Sequence, residues 1–183
     1  DRNKGIVGRL AHGGEHDYFY NSSFRSYNDK QNIESFLKGG YGIENNIAAV
    51  ILEPTMKDTR QITELARKYG ALVIFDEVLT GFRYDIGGYQ KMLGITPDLS
   101  CFGKCMANGL PLSAVVGRRD IMQLMDDGGV FASSTFGGET LALAAALETI
   151  VELEKNPQRL WNIGKRWLYG MESLITKKGL MDT

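Results

Sequence analysis

Two short apolar runs on either side of a helical stripe limit the fold of this chain more than any other feature. The first, Ile47–Leu52, is apolar at every position and stops at Glu53-Pro54. A run without alternation reads as a strand buried on both faces, with polar residues at its carboxyl end. Residues 58–69 then carry Ile62, Leu65, Ala66 and Tyr69 at helical spacing and close at Gly70. A second buried run, residues 71–75, follows at once. Strand, helix and strand within about thirty residues form a βαβ unit. Such a unit requires a parallel or mixed sheet with a helix on its face, so the class is α/β.

The rest of the chain extends this frame. Residues 1–40 are rich in Gly, Asn, Ser and Tyr and read as short strands and long loops around His12-Gly13-Gly14, with a short helix over 32–37. Short strands are expected over 99–102 and 113–116, separated by a loop holding Lys104 and a turn at Asn108-Gly109-Leu110-Pro111. Helices are expected over 120–125, over the Ala- and Leu-rich segment 139–154, and over an amphipathic stretch from 158 to 176. That last stretch is expected to begin a different layer or a second domain.

Composition removes several classes of function. With 183 residues and 43% hydrophobic content, the chain can bury a core of its own. Its 21 basic and 22 acidic residues nearly cancel, which argues against nucleic acid or an anionic membrane as the main partner. No apolar run reaches the roughly 20 residues of a membrane span. Asp1-Arg2-Asn3-Lys4 lacks the apolar core of a signal peptide, so the expected compartment is the cytoplasm. Cys101 and Cys105 flank Lys104 without a second Cys or His group near them in sequence, and read as reduced thiols rather than half of a metal site.

Chemistry concentrates in three places. Asp76 ends the second apolar strand, where an unpaired carboxylate is costly and a positive partner is expected. A pyridinium nitrogen would serve. So would Arg83, or a turn capped by the Asp side chain. Lys104 lies 28 positions later in a Gly-bounded loop with apolar neighbours, where partial burial would favour the neutral, nucleophilic amine. An acid and an amine together suit pyridoxal phosphate, the first for the ring nitrogen and the second for a Schiff base. Residues 133–140, Ser-Ser-Thr-Phe-Gly-Gly-Glu-Thr, precede the strongest helix and offer hydroxyls and amides to a phosphate; a plain N-cap at Glu139 or Thr140 fits them equally. Val73 to Glu77 also has the form of a Walker B strand, but no glycine-rich loop ending Gly-Lys-Ser/Thr accompanies it, and Gly103-Lys104 is followed by Cys105.

Taken together the phrases resemble a known family. Ile74-Phe75-Asp76-Glu77-Val78-Leu79-Thr80-Gly81-Phe82-Arg83, Pro97-Asp98-Leu99, Gly103-Lys104, residues 108–117 (Asn-Gly-Leu-Pro-Leu-Ser-Ala-Val-Val-Gly) and Ser134-Thr135-Phe136-Gly137-Gly138 stand in the order found in class III aminotransferases. The chain looks like their glutamate-1-semialdehyde 2,1-aminomutase-like branch. The resemblance implies the large domain of an aspartate-aminotransferase-type fold, a mainly parallel sheet with helices on both faces, present here incompletely. Residues 1–157 would belong to that domain, and 158–183 would be a helix leading toward a C-terminal small domain.

The same resemblance implies site residues. Lys104 would form the Schiff base with pyridoxal 5'-phosphate, Asp76 would meet its pyridine nitrogen, and Val78 would pack on one ring face. Thr135 would reach the cofactor phosphate of a partner subunit, which implies an obligate homodimer. His12-Gly13 resembles the family's aromatic-His-Gly phrase, with Ala11 where the aromatic ring usually stands. The chain is less than half the family's usual length, and the interval from Glu53-Pro54 to Asp76 is short. The expected function is therefore an aminotransferase or aminomutase acting on a small amino donor and acceptor. The alternative is a catalytically degenerate member serving as a dimerisation or partner-binding module.

Overall fold

In the computed structural model, residues 5–9, 34, 37, 38, 47–55, 57–126, 130 and 135–180 are described. Five strands form one sheet in the order of the chain: β1 (Gly5–Arg9), β2 (Ile47–Leu52), β3 (Leu72–Asp76), β4 (Leu99–Phe102) and β5 (Ala114–Gly117). The first three joints are parallel and the last, β4 with β5, is antiparallel. The sheet is thus mixed and mainly parallel, as the βαβ pattern predicts. The helices are α1 (Thr59–Lys68), α2 (Gly88–Leu93), α3 (Arg119–Asp126), α4 (Thr140–Lys155) and α5 (Arg159–Lys178), with a 3-10 turn over Lys104–Ala107.

Most elements fall within two residues of the sequence reading. Of the helix expected over 32–37, Glu34 and Leu37 are helical, the Lys38 N–H donates to the Glu34 carbonyl at 3.0 Å, and Leu37 is buried. His12, Gly13 and Gly14 lie outside the described residues. Two elements are additions. The chain around Lys104 forms a 3-10 turn rather than an open loop, and α2 was not expected at all.

The core has two centres. In the first, Val50 and Leu52 of β2 and Val73 and Phe75 of β3 pack against Ile62 and Ala66 of α1, all buried. The helical stripe of residues 58–69 is therefore the face that covers the sheet. The short link from β2 to α1 is tied by the Thr59 hydroxyl, which donates to the Pro54 carbonyl at 3.1 Å. In the second centre Phe102, Met106 and Ala107 pack against Ala146 of α4. Small residues on α4 let it approach the 3-10 turn closely, and that contact seats the Lys104 segment on a helix.

The opposite end of β3 and β4 is closed by Asp98. Its N–H donates to the Val73 carbonyl and its carboxylate accepts from the Val73 N–H, both at 2.8 Å, while Arg118 reaches its other oxygen at 2.8 Å. The guanidinium of Arg118 also binds Asp120 at 2.6 Å, which holds that carboxyl below its usual range. Gly117 makes this closure fit: a Cβ there would run into the Asp98 carbonyl oxygen and stand 2.6 Å from Leu99 Cδ2.

Like α3, helix α5 buries none of its residues. Trp161, Ile163, Trp167, Leu168, Tyr169 and Leu174 are all exposed along it, although Trp161 meets Tyr84 edge-on at 5.2 Å. Among the described residues no helix is long and apolar enough to cross a membrane.

Two glycine substitutions should separate close approach from mere flexibility. Gly117→Ala is expected to lower stability in urea by about 2–4 kcal/mol because backbone must move. Gly164→Ala, inside α5 where nothing lies within 4 Å of the added Cβ, is expected to raise it by about 0.5–1 kcal/mol. Similar effects from both would contradict this packing.

Candidate active site

The register between β3 and β4 brings together the acid and the amine. Asp76 closes β3 with its Cα level with Cys101 of β4, and the Glu77 N–H donates to the Cys101 carbonyl at 2.9 Å. β4 ends at Phe102, and Gly103 and Lys104 follow immediately. Asp76 and Lys104 therefore sit at the carboxyl ends of neighbouring parallel strands, the edge at which open α/β sheets bind ligands.

Asp76 is half-buried, and its Oδ1 accepts the Val78 N–H at 3.0 Å. That bond is the turn-capping role weighed from the sequence. Among the described residues it is the only hydrogen bond to the carboxylate, and no cation pairs with it. Arg83, the alternative partner, is exposed and does not pair with Asp76; its charge falls instead near Cys105.

Lys104 is exposed, so the partial burial expected for it is not found. It opens the 3-10 turn with φ of 37°, in the left-handed region that a non-glycine residue occupies only at a cost. Its neighbours hold it there: Gly103 is buried, and Met106 and Ala107 belong to the core. Val78 approaches from the other strand, with Cγ1 3.5 Å from where a Cβ on Gly103 would be. Asp76, Val78 and Lys104 are thus collected at one edge.

An open cavity of about 910 Å³, lined in part by Lys104, lies between the 3-10 turn and α5. Arg83, Tyr84, Cys105, Trp161 and Leu168 contribute to its wall, and Asp76 and Val78 do not. Because one wall is the exposed helix α5, its volume describes an uncovered seam rather than the place where acid and amine meet. The edge of the sheet is the better candidate site.

Thr135 is exposed in the turn before α4, beside Phe136, also exposed. Among the described residues no hydrogen bond joins it to Asp76 or Lys104. Two amides in the first turn of α4 are already occupied: the Glu139 carboxylate accepts the N–H groups of Leu141 at 3.1 Å and Ala142 at 2.8 Å, which is the N-cap alternative.

Glu77 is the residue whose role the sequence concealed. Its side chain is fully buried, and its carboxylate accepts from Thr80 Oγ1 at 2.6 Å, Tyr89 N at 2.7 Å and Gln90 N at 2.8 Å. A Walker B role is ruled out, since a carboxylate so enclosed cannot present an oxygen to a metal-bound water. It caps α2 from eleven positions before the helix starts. Gly88 is required there: its φ is 77°, and a Cβ would lie 2.6 Å from Glu77 Oε1. Gly81 is equally confined, with a Cβ position 2.7 Å from the Glu77 carbonyl.

Comparison with known proteins places the chain. The model of the family described as Aminotransferase class-III matches residues 19–167. The chain belongs to the class III aminotransferases. It is 38% identical over 170 residues to the glutamate-1-semialdehyde 2,1-aminomutase of Aquifex aeolicus, a match covering 86% of this chain and 39% of that enzyme. Among solved structures it superposes on the FumI protein of Sphingopyxis sp. MTA144, described in its PLP internal aldimine form, with a TM-score of 0.74 and 26% identity over 97% of this chain and 48% of that one. An omega-transaminase from Sphaerobacter thermophilus gives a TM-score of 0.73 at 23% identity, covering 97% of this chain and 50% of that one. The fold is accordingly part of the class III aminotransferase fold, and the chain spans about two fifths to one half of these relatives.

Both cysteines are free and half-buried. Burial pushes the Cys101 thiol up, and the Asp76 charge adds to it; burial also raises Cys105, partly offset by Arg83. A raised thiol pKa leaves less thiolate in the folded state near neutral pH. Alkylation by iodoacetamide is expected to be slower in the folded than in the urea-unfolded chain at pH 8, with the gap narrowing as pH rises. A folded chain that reacts faster at pH 8 would contradict these surroundings.

Proposed function

We propose that this chain is the cofactor-binding part of a pyridoxal-phosphate-dependent aminotransferase or aminomutase. The observation that carries the reading is the delivery of Asp76 and Lys104 to one carboxyl edge by adjacent parallel strands. The residues present fit the cofactor. A half-buried carboxylate with one oxygen uncommitted among the described residues, an exposed amine and an apolar side chain stand together there. Relatives named glutamate-1-semialdehyde 2,1-aminomutase and a superposable protein with PLP bound support the same reading.

When bound, pyridoxal phosphate supplies an aldehyde and a ring that withdraws electrons from the carbon next to the amino nitrogen. Asp76 would keep a proton on the ring nitrogen through its second oxygen, and a negative charge in a half-buried site favours that protonated form. Lys104 would be the residue that holds the cofactor, through Nζ, and the same Nζ would move a proton at the substrate carbon, as base and then acid. Val78 would cover one face of the ring and exclude water. His12 and Gly13, outside the described residues, would complete the bed.

Thr135 would donate its hydroxyl to the phosphate held by a partner subunit, which makes the working unit a homodimer. Its exposure, and that of Phe136, supports a role directed away from its own chain. Residues 1–157 would form part of the large domain and 158–183 the helix toward a small domain, in keeping with the uncovered apolar residues of α5. The small-molecule amino donor and acceptor would be chosen largely by segments that this chain, spanning 39% of the Aquifex relative, does not include.

Incubation with pyridoxal phosphate, borohydride reduction and peptide mapping test the reading. A visible absorption band, bleached by an amino donor, and a reduced adduct on Lys104 that Lys104→Ala abolishes are expected. A folded dimer with neither band nor Lys104 adduct would overturn catalysis and favour the dimerisation or partner-binding alternative.

A further inference from the structure

We infer that Glu77 is a positioning residue for the Asp76 carboxylate, a role that rests on the cofactor reading above. The two acids are consecutive and face opposite ways. Asp76 stands half-buried at the strand edge, whereas Glu77 is fully enclosed. Three donors converge on Glu77: the Thr80 hydroxyl and the Tyr89 and Gln90 amides. Its own N–H and C=O are also engaged, the first with Cys101 of β4 and the second with the Gly81 N–H at 2.8 Å. Every polar group of this residue is thus engaged, with partners at residues 80–81, 89–90 and 101.

That fixation reaches Asp76 through one peptide unit. The N–H that holds Asp76 Oδ1 belongs to Val78, so its direction is set by the Glu77–Val78 peptide plane. The same unit carries the Val78 side chain toward Gly103. The clamp extends further, because the Gln90 side chain accepts from the Ser100 hydroxyl of β4 at 3.3 Å. Glu77 therefore ties the β3 edge to α2 through its carboxylate and to β4 through its N–H, with the Gln90 side chain adding a second tie to β4, and Asp76 and Val78 inherit their placement from it. Neutralising Glu77 as Gln would leave one carbonyl oxygen for three donors and turn an NH₂ toward N–H groups. The Glu77–Val78 peptide would then be free to turn.

Glu77→Gln is compared with Ile62→Ala, a buried position of the other core centre that holds no site residue, each scaled by its measured loss of stability. Glu77→Gln is expected to weaken pyridoxal phosphate binding by about tenfold or more, the scale of a sub-ångström misplacement. It is also expected to move the pH titration of the visible band and to speed hydrogen exchange at the Val78 N–H. Ile62→Ala is expected to change none of these beyond its share of stability. Equal shifts in both variants, or an unchanged titration and Val78 exchange in Glu77→Gln, would overturn the inference. If the wild-type protein forms no band, the cofactor reading has failed. Val78 exchange and the NMR titration of the Asp76 carboxyl then decide alone, and no change in Glu77→Gln overturns the positioning role.

Discussion

The parallel register that sets Asp76 level with Cys101 is the constraint on which the candidate site depends. A slip of one residue would turn Asp76 toward the opposite face of the sheet and carry Val78 away from Gly103. Hydrogen bonds fix the register at both ends. Asp98 binds the Val73 backbone with both its amide and its side chain, and the Glu77 N–H continues the ladder past Asp76. Between them β3 presents Val73 and Phe75 to α1, and that packing stabilises the sheet.

The two chemically prominent residues are held by different means. Asp76 is placed by hydrogen bonds, its own to Val78 and those of Glu77 beside it. Lys104 is placed by packing: the 3-10 turn rests on α4 through Met106, Ala107 and Ala146, and the left-handed backbone at Lys104 is maintained by that contact. Satisfied buried polar groups are rigid, because any movement leaves donors unpaired at a cost of about 1–3 kcal/mol each. An apolar seat permits more adjustment. The acid is accordingly held by directional bonds, and the turn that carries the amine by apolar contact.

Local pattern made most of the frame legible. The unbroken run at Ile47–Leu52 and the stripe of Ile62 and Ala66 state which faces are buried, and the structure buries those faces. The family phrases pointed to Asp76 and Lys104, and both reach one edge. What stayed hidden depends on contacts distant in sequence. Helix α2 begins Gly-Tyr-Gln-Lys and carries no cap of its own; its cap is Glu77, and only the fold brings that carboxylate to the Tyr89 and Gln90 amides. Thr80, three positions after Glu77 and bonded to it, is the local signal that could have marked the second carboxylate as inward-facing. The exposure of Lys104 was misjudged because apolar neighbours in sequence pack beneath the turn rather than over the side chain.

Whether Asp76 holds a proton on the ring nitrogen of pyridoxal phosphate is read by NMR of the protein loaded with cofactor isotopically labelled at that nitrogen. A protonated pyridine nitrogen is expected in the wild-type protein near neutral pH and a deprotonated one in Asp76→Ala. The same nitrogen signal in both proteins would contradict it.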